Sequence, residues 1–184
     1  MRHLGSQTLH TPRLTLRPFS REDGAAMYRN WASDPEVTRF LSWPTHRSQA
    51  DSDAICAEWA AKAGDLRWYN WAIVPNELGE PIGAISFHRF DEDTQMVHAG
   101  YCIGKTWWGR GYATEALQAV IAYAFLELGA NRVESIHNVK NPASGRVMEK
   151  CGMTLEGVLR QAYRDNSGCC DVAVRALLRQ DWLG

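Results

Sequence analysis

The sequence predicts an α/β fold in which a mixed, mostly antiparallel central sheet of about seven strands packs with four main helices. Three observations support this class. A strand-like alternation begins near residue 14, and three apolar runs between residues 69 and 103 are separated by short turns, which indicates an antiparallel meander. After residue 112, helical and strand-like segments alternate. With 184 residues and no linker-like stretch, the chain is expected to form one domain over residues 1–184.

Helix starts and turn residues define the elements of the first half. Ser20 followed by Asp23 is typical of a capping box, and Thr45 or Ser48 supplies the start of a second helix. The segment PNELGEP at 75–81 has the turn chemistry of a hairpin. These signals predict strands over residues 14–19, 69–74, 82–90 and about 95–103, and helices over about 20–33 and from 45 or 48 to about 63.

The second half is defined by apolar spacing and by glycines. Between residues 112 and 128, apolar side chains recur at i, i+3, i+4, i+7, i+8 and i+11, which predicts an amphipathic helix that ends at Gly129. Pro142 suits the first position of another helix, which Gly152 ends. Strands are expected over residues 132–137, about 154–160 and about 170–179, the last two joined by the turn sequence DNSG.

The composition excludes several classes of partner. The 20 Lys and Arg against 21 Asp and Glu give a net charge of -1, so no general attraction to nucleic acid or to an anionic membrane is expected. The N-terminal segment lacks the apolar core of a signal peptide, which favours a cytoplasmic protein. Five cysteines without a C-x-x-C pair predict reduced thiols and no metal site.

Two phosphate-binding motifs overlap in the segment AGYCIGKTWWGRGYATEA at 99–116. The spacing from Ala99 fits a loose P-loop, in which Lys105 binds phosphate and Thr106 binds magnesium. The segment from Gly109 instead opens a helix whose first N–H groups could hold a pyrophosphate. The first motif predicts an ATP or GTP enzyme, and the second predicts a cofactor such as coenzyme A.

The context of the segment favours the second motif. A P-loop helix begins at the Lys-Thr step, but here two glycines follow, and each costs about 1 kcal/mol inside a helix. No apolar strand ending in Asp offers a second magnesium ligand. Gly109 and Gly111 allow a tight turn and close approach of the backbone to a ligand. A glycine-rich turn without a ligand stays as the structural alternative.

Similarity to one known family extends over nearly the whole chain. The matching segments are TPRLTLRP at 11–18, WWGRGYATEA at 107–116, NPAS at 141–144, MEKCGMTLEG at 148–157 and the terminal DW. In these segments the sequence resembles the GNAT N-acetyltransferases, and within them the RimJ/RimL-type ribosomal-protein N-acetyltransferases. The resemblance implies a GNAT fold whose sheet splays open for the pantetheine arm of acetyl-CoA. It places acetyl-CoA on Ile103, Gly104, Gly109, Arg110, Gly111, Tyr112, Ala113 and Thr114.

Two positions depart from the family pattern. Thr106 stands where many members carry Gln or Arg before the first glycine, and Met148 stands where many carry a tyrosine that protonates the departing thiolate. By resemblance to the RimL type, Ser144 is the substitute proton donor, and Asn141 hydrogen-bonds the pantetheine arm. The alternative is that NPAS only caps a helix.

The resemblance also indicates residues for the acceptor amine. His98 occupies the place where many relatives carry a glutamate, and an imidazole with a pKa near 6.5 suits a general base at neutral pH. The alternative is a packed or solvated strand histidine. Glu115 is expected to have a structural role at the start of its helix. Trp43, His46 and Tyr101 are expected to border the acceptor pocket.

Together these expectations predict an acetyl-CoA-dependent N-acetyltransferase that works by direct transfer and without a metal. The acceptor is expected to be a primary amine, either a protein N-terminal α-amine or a small amine. A non-catalytic acyl-CoA sensing module is a second interpretation, and a P-loop nucleotide enzyme is a third. The sequence leaves the oligomeric state open.

Overall fold

The computed structural model describes residues 1–182 and contains a single sheet of 8 strands in the order β1-β2-β3-β4-β5-β6-β8-β7. The strands are β1 Leu9–His10, β2 Leu14–Pro18, β3 Tyr69–Pro75, β4 Gly83–Asp91, β5 Met96–Ile103, β6 Arg132–Asn138, β7 Thr154–Asp165 and β8 Gly168–Leu178. All neighbouring strands are antiparallel except β5 and β6, which are parallel. The predicted mixed sheet is therefore confirmed, with the short strand β1 added.

The helices are α1 Gly24–Met27, α2 Pro35–Thr38, α3 Gln49–Ala61, α4 Tyr112–Leu126, α5 Pro142–Lys150 and α6 Arg179–Trp182. The helix expected over residues 20–33 is divided: a 3-10 turn at Arg21–Asp23 precedes α1, and a π-helical turn at Tyr28–Ala32 follows it. Helix α3 lies close to the chain here: a Cβ on Gly24 would overlap Asp53 of α3. Among residues 1–182, no helix combines the length and apolar character needed to cross a bilayer.

The two faces of the sheet carry different helices. On one face, α4 buries Leu117, Ile121 and Phe125 in the larger core cluster, together with side chains such as Trp71 of β3. The other face carries α1, α3 and the π-helical turn, which bury a smaller cluster that includes Trp31. We call the first the cofactor face and the second the acceptor face, after the ligands that the sequence resemblance predicts beside them.

The sheet opens between its two parallel strands. Pairing of β5 with β6 ends at His98 and Glu134, although β6 continues to pair with β8 as far as Asn138. The Ser135 Oγ donates to the carbonyl of Ala99 at 2.8 Å, just beyond the last pair. The C-terminal half of β5 then pairs with β4 alone. A gap between β5 and β6 follows, as the sequence resemblance predicts.

Candidate functional site

A cleft of about 1050 Å³ lies at the point where β5 and β6 separate. It is lined from the cofactor face by the N-terminal ends of α4 and α5, and from the acceptor face by residues of α2 and of the segments beside it. Ile103, Asn141 and Ser144, three of the residues expected at the site, line this cleft. The gap in the sheet therefore joins two surfaces that are otherwise separated by the strands.

Two left-handed glycines form a turn at the start of α4. Gly109 has φ of 75° and Gly111 has φ of 83°, conformations that glycine adopts without steric strain. No side chain caps α4, so the N–H groups of Tyr112, Ala113 and Thr114 remain available for a ligand. A Cβ on Gly109 would meet no other atom within 4 Å, which shows open space beside the turn. This cradle fits the pyrophosphate of acetyl-CoA, because helix N-termini bind anions.

An ion pair holds the cradle against the edge of β2. Glu115 Oε1 accepts hydrogen bonds from Thr11 Oγ1 at 2.6 Å and from the Arg13 backbone N–H at 2.9 Å, and Glu115 Oε2 pairs with the Arg13 guanidinium at 2.6 Å. Arg13 also donates to the carbonyl of Arg110 at 2.9 Å. Although burial raises the pKa of Glu115, the hydrogen bonds from Thr11 and Arg13 lower it overall. Glu115 therefore has a structural role beside the cradle.

The structure does not form the overlapping P-loop. Lys105 begins a 3-10 turn that ends at Trp107, and helix α4 begins only at Tyr112. The Lys105 ammonium group is paired with Glu36 of α2 instead of facing the cradle. The motif at 99–106 therefore lacks the helix start that a P-loop needs, whereas the turn at Gly109 leads directly into α4.

Tyr101 and Ser144 meet on the cofactor side of the gap. The Tyr101 hydroxyl donates to the Ser144 carbonyl at 2.8 Å and lies 3.0 Å from Ser144 Oγ. Burial raises the pKa of Tyr101, so the phenol stays protonated at neutral pH. Tyr101 thus lines the cleft in contact with Ser144, and its expected place at the border of the acceptor pocket stays a prediction.

The remaining residues of the NPAS segment combine a capping role with access to the cleft. Asn141 Oδ1 accepts the backbone N–H of Ser144 at 3.4 Å, which makes Asn141 the N-cap of α5. Met148, at the place of the family tyrosine, is buried in the core. The Trp108 indole donates to the carbonyl of Ile103 at 2.8 Å, at the end of the separated strand.

Three residues expected at the site lie outside the cleft lining: Gly104, Arg110 and His46. Gly104 allows close packing instead, because a Cβ there would overlap the carbonyl of Asn30 and the ring of Trp107. The Arg110 side chain is exposed. His46 lies behind Trp43, with ring centroids 5.4 Å apart, and its Nδ1 is bonded to Ser52 Oγ at 2.7 Å. Burial lowers the pKa of His46.

Aromatic side chains form much of the acceptor side of the cleft. Trp31 is contributed by the π-helical turn, Phe40 and Trp43 by the segment after α2, and Trp59 by α3. These residues come from separate parts of the chain and meet only in the folded protein. The high tryptophan content, 8 in 184 residues, is the sequence signal for such a wall, with core and rim packing as the alternative.

A pair of histidines lies on the sheet where the strands separate. His98 is 5% exposed, and its Nδ1 lies 3.2 Å from Glu134 Oε1. Burial, assisted by the neighbouring His88, lowers the pKa of His98 to about 4. The rings of His88 and His98 have centroids 4.7 Å apart, and both residues line the cleft. Sequence reasoning missed His88, because its position depends on strand pairing.

Comparison with known proteins finds one family that matches most of the chain. Residues 13–154 match the family model described as an acetyltransferase (GNAT) domain. The chain is 32% identical to the uncharacterized N-acetyltransferase p20 of Bacillus licheniformis over 180 residues, covering 97% of this chain and 99% of that protein.

Two further similar proteins are a relative with a named activity and a solved structure. The Escherichia coli protein named ribosomal-protein-serine acetyltransferase is 34% identical over 97 residues, covering 53% of this chain and 54% of that protein. The crystal structure of a GNAT-family acetyltransferase from Bacillus anthracis superposes with a TM-score of 0.83 at 24% identity, covering 95% of this chain and 99% of that one. At this identity the structural likeness shows the fold alone.

Proposed function

The chain belongs to the GNAT acetyltransferase family, and we propose that it acts as one domain that transfers an acetyl group directly to a primary amine. Acetyl-CoA is the acetyl donor of this family. The observation that carries the proposal is the gap between β5 and β6, which connects a phosphate cradle on one face with an aromatic pocket on the other. Donor and acceptor can therefore meet from opposite faces of the sheet.

Residues of the cofactor face have defined roles in this proposal. The N–H groups of the cradle at 109–114 hold the pyrophosphate, and Ile103 and Asn141 contact the pantetheine arm. Bound acetyl-CoA supplies an activated acetyl group on a thiol leaving group. The Ser144 hydroxyl, held beside Tyr101, supplies a proton to the departing sulfur. The base is one of the paired histidines, of which His98 is the member expected from the sequence.

The acceptor side favours an amine with an apolar body. Among the described residues that line the cleft, Glu36 is paired with Lys105, and Asp165 accepts hydrogen bonds from Asn138 and Ser167. These carboxylates are already engaged, so a polycationic acceptor would gain little from them. An α-amine with a pKa near 8 is uncharged about a tenth of the time at pH 7, whereas a lysine amine is almost always charged. A protein N-terminal α-amine or a small apolar amine is therefore the acceptor we propose.

Two further observations support the proposal. The E. coli relative is named for acetylation of a ribosomal protein, which makes protein N-termini the first acceptors to test.

The cysteines at positions 56, 102, 151, 169 and 170 are free thiols. Since free thiols suit a reducing compartment, we propose a cytoplasmic location.

A two-part experiment tests the function. Acetyl-CoA at 100 times its Kd should stabilise the fold by about 2.7 kcal/mol and raise the unfolding midpoint by several degrees, whereas ATP with magnesium should not. Acetyl transfer is then measured with peptides that begin with Ser or Ala, with small apolar amines, and with a polyamine. Transfer to the peptides or to the small apolar amines, and little transfer to the polyamine, supports the proposal. Binding of acetyl-CoA without transfer to any amine would instead indicate a sensing module.

A further inference from the structure

A β-bulge places His88 above the point where the sheet opens. Residue pairing between β4 and β5 joins Phe87 to Ala99 and Arg89 to His98, which leaves His88 as the extra residue of β4. Bulges commonly redirect a side chain toward a site. A Cβ on Gly100 would lie 2.9 Å from Cε1 and 3.2 Å from Nδ1 of the His88 ring. The His88 imidazole therefore covers Gly100, just beyond the last residue of β5 that pairs with β6.

The two histidines differ in how firmly they are held. His98 is buried, and its Nδ1 is bonded to Glu134. The Glu134 carboxylate in turn accepts hydrogen bonds from the guanidinium groups of Arg132 at 2.8 Å and of Arg89 at 3.2 Å. The His88 side chain is exposed, and no described residue forms a hydrogen bond with its ring. A ring nitrogen of His88 is thus free to accept a proton, whereas His98 is fixed within the sheet.

The charged groups around His88 favour its neutral form. Burial of part of the ring, followed by the positive charge of Arg89, lowers the pKa of His88. On β5 the neighbour is His98, and on β6 it is Glu134, which is paired with Arg132. The charged residues that line the cleft elsewhere are four basic residues, Arg39, Arg67, Arg146 and Lys150, and two carboxylates, Glu36 and Asp165. A His88 ring in this setting is uncharged at neutral pH and can act as a base.

We propose that His88 is the catalytic base for the acceptor amine, and that His98, fixed by Glu134, is a positioning residue that supports the His88 ring. This inference rests on the proposed function. As the amine nitrogen bonds to the acetyl carbon, its proton passes to the free ring nitrogen of His88. The carbon–sulfur bond breaks with its electron pair on sulfur, and sulfur takes a proton from the Ser144 hydroxyl, which regains one from water, or directly from water. His88 then releases its proton to solvent.

The test compares His88→Gln and His88→Ala with His98→Gln, and uses His10→Gln as the control. His10 lies on edge strand β1, outside the cleft lining, and its Nδ1 lies 3.3 Å from Thr15 Oγ1. We expect both His88 variants to lower kcat about a hundredfold while the acetyl-CoA midpoint shift stays unchanged. Free imidazole should restore part of the activity of His88→Ala. It should restore none of the activity that His88→Gln and His98→Gln lose. His10→Gln should behave as wild type.

The pH profile separates a base from a structural residue. In wild type, kcat should rise with pH as His88 loses its proton, and this limb should be absent from the profile of His88→Gln. Arg89→Gln should move the limb to higher pH, because removing the positive charge raises the pKa of His88.

Three outcomes would overturn the assignment. Wild-type kcat in both His88 variants would exclude His88 as the base. The same conclusion would follow if free imidazole restored the activity of an additional variant, His98→Ala, and not that of His88→Ala. A wild-type protein that binds acetyl-CoA but acetylates no amine would overturn the proposed function together with the assignment. The first two outcomes, with an active wild type, would overturn the assignment of His88 alone and leave the proposed function in place.

Discussion

The two sides of the cleft are built from different parts of the polypeptide. The cofactor side is formed mainly by backbone: two left-handed glycines, the uncapped N-terminus of α4, and the end of β5, which no longer pairs with β6. The acceptor side is formed by side chains, chiefly tryptophans and the paired histidines, which come from distant segments. Under the proposed function, the donor site therefore depends on local chain geometry, whereas the acceptor site depends on tertiary packing.

The largest effect is expected from changing the cradle. Gly109→Ala puts a side chain on a residue with φ of 75°, which costs about 1–2 kcal/mol and turns the N–H groups away from the ligand. We expect acetyl-CoA affinity to fall ten- to a hundredfold, measured from the ligand-induced shift of the unfolding midpoint.

Gly129→Ala is the matched control for this change. Gly129 has φ of 71°, and a Cβ at this position, as at Gly109, would meet no atom within 4 Å, but Gly129 lies outside the cleft lining. The control should lose similar stability and keep its affinity for acetyl-CoA. Equal loss of affinity in both variants would show that stability, and not cradle geometry, determines binding.

A second effect should appear in the pH dependence of stability. The pKa of His98 is about 4 in the folded protein, against 6.5 for the unperturbed group. Below pH 6.5 the unfolded chain binds a proton that the folded protein does not, so the free energy of unfolding falls as the pH decreases toward 4. Between pH 7 and 5.5 this residue should contribute a loss of about 1 kcal/mol. Urea unfolding of His98→Gln should show a correspondingly smaller decrease, and an equal decrease would contradict the acceptor-side burial of His98.

Ser144→Ala should reduce kcat by about tenfold and leave the affinity for acetyl-CoA unchanged. The effect is moderate because a thiol with a pKa near 8.5 can leave without a proton. For the same reason, the difference from wild type should shrink as the pH rises above 8.5. A constant ratio across this pH range would indicate that Ser144 acts only through the cap of α5 and its contact with Tyr101.

The smallest effect is expected from Trp43→Ala on the acceptor side. Removing the indole takes away apolar surface at the rim of the pocket, so KM for an apolar amine should rise several-fold while acetyl-CoA affinity stays constant. Trp182→Ala changes an indole that packs on Phe125, away from the cleft, and is the control. A rise in the KM for acetyl-CoA in Trp43→Ala would contradict the separation of the two sides.

The sequence predicted the glycine turn and the start of α4 well because their signals are local. Glycine spacing and the onset of apolar periodicity place the cradle at residues 109–114 and α4 after it, and the structure has both. The strands of the meander and the end of α4 near Gly129 follow from equally local patterns. The family resemblance added the gap between β5 and β6, which local patterns alone do not give.

Sequence reasoning was less successful where tertiary contacts decide. His46 turns to Ser52, and Tyr101 reaches Ser144 on the cofactor side; neither contact leaves a trace in spacing. His88 enters the cleft through a bulge, which depends on how two strands pair. Strand β7 extends to Asp165, beyond the expected residue 160, because its exposed residues lack the alternation of a half-buried strand.

The most direct test of the two-sided site is calorimetric titration of acetyl-CoA into four proteins: wild type, Gly109→Ala, His88→Gln and Trp43→Ala. If backbone geometry alone builds the donor site, His88→Gln and Trp43→Ala will bind acetyl-CoA with the wild-type Kd, and only Gly109→Ala will bind at least tenfold more weakly. Wild-type affinity in Gly109→Ala, or a comparable loss in either acceptor-side variant, would contradict this account.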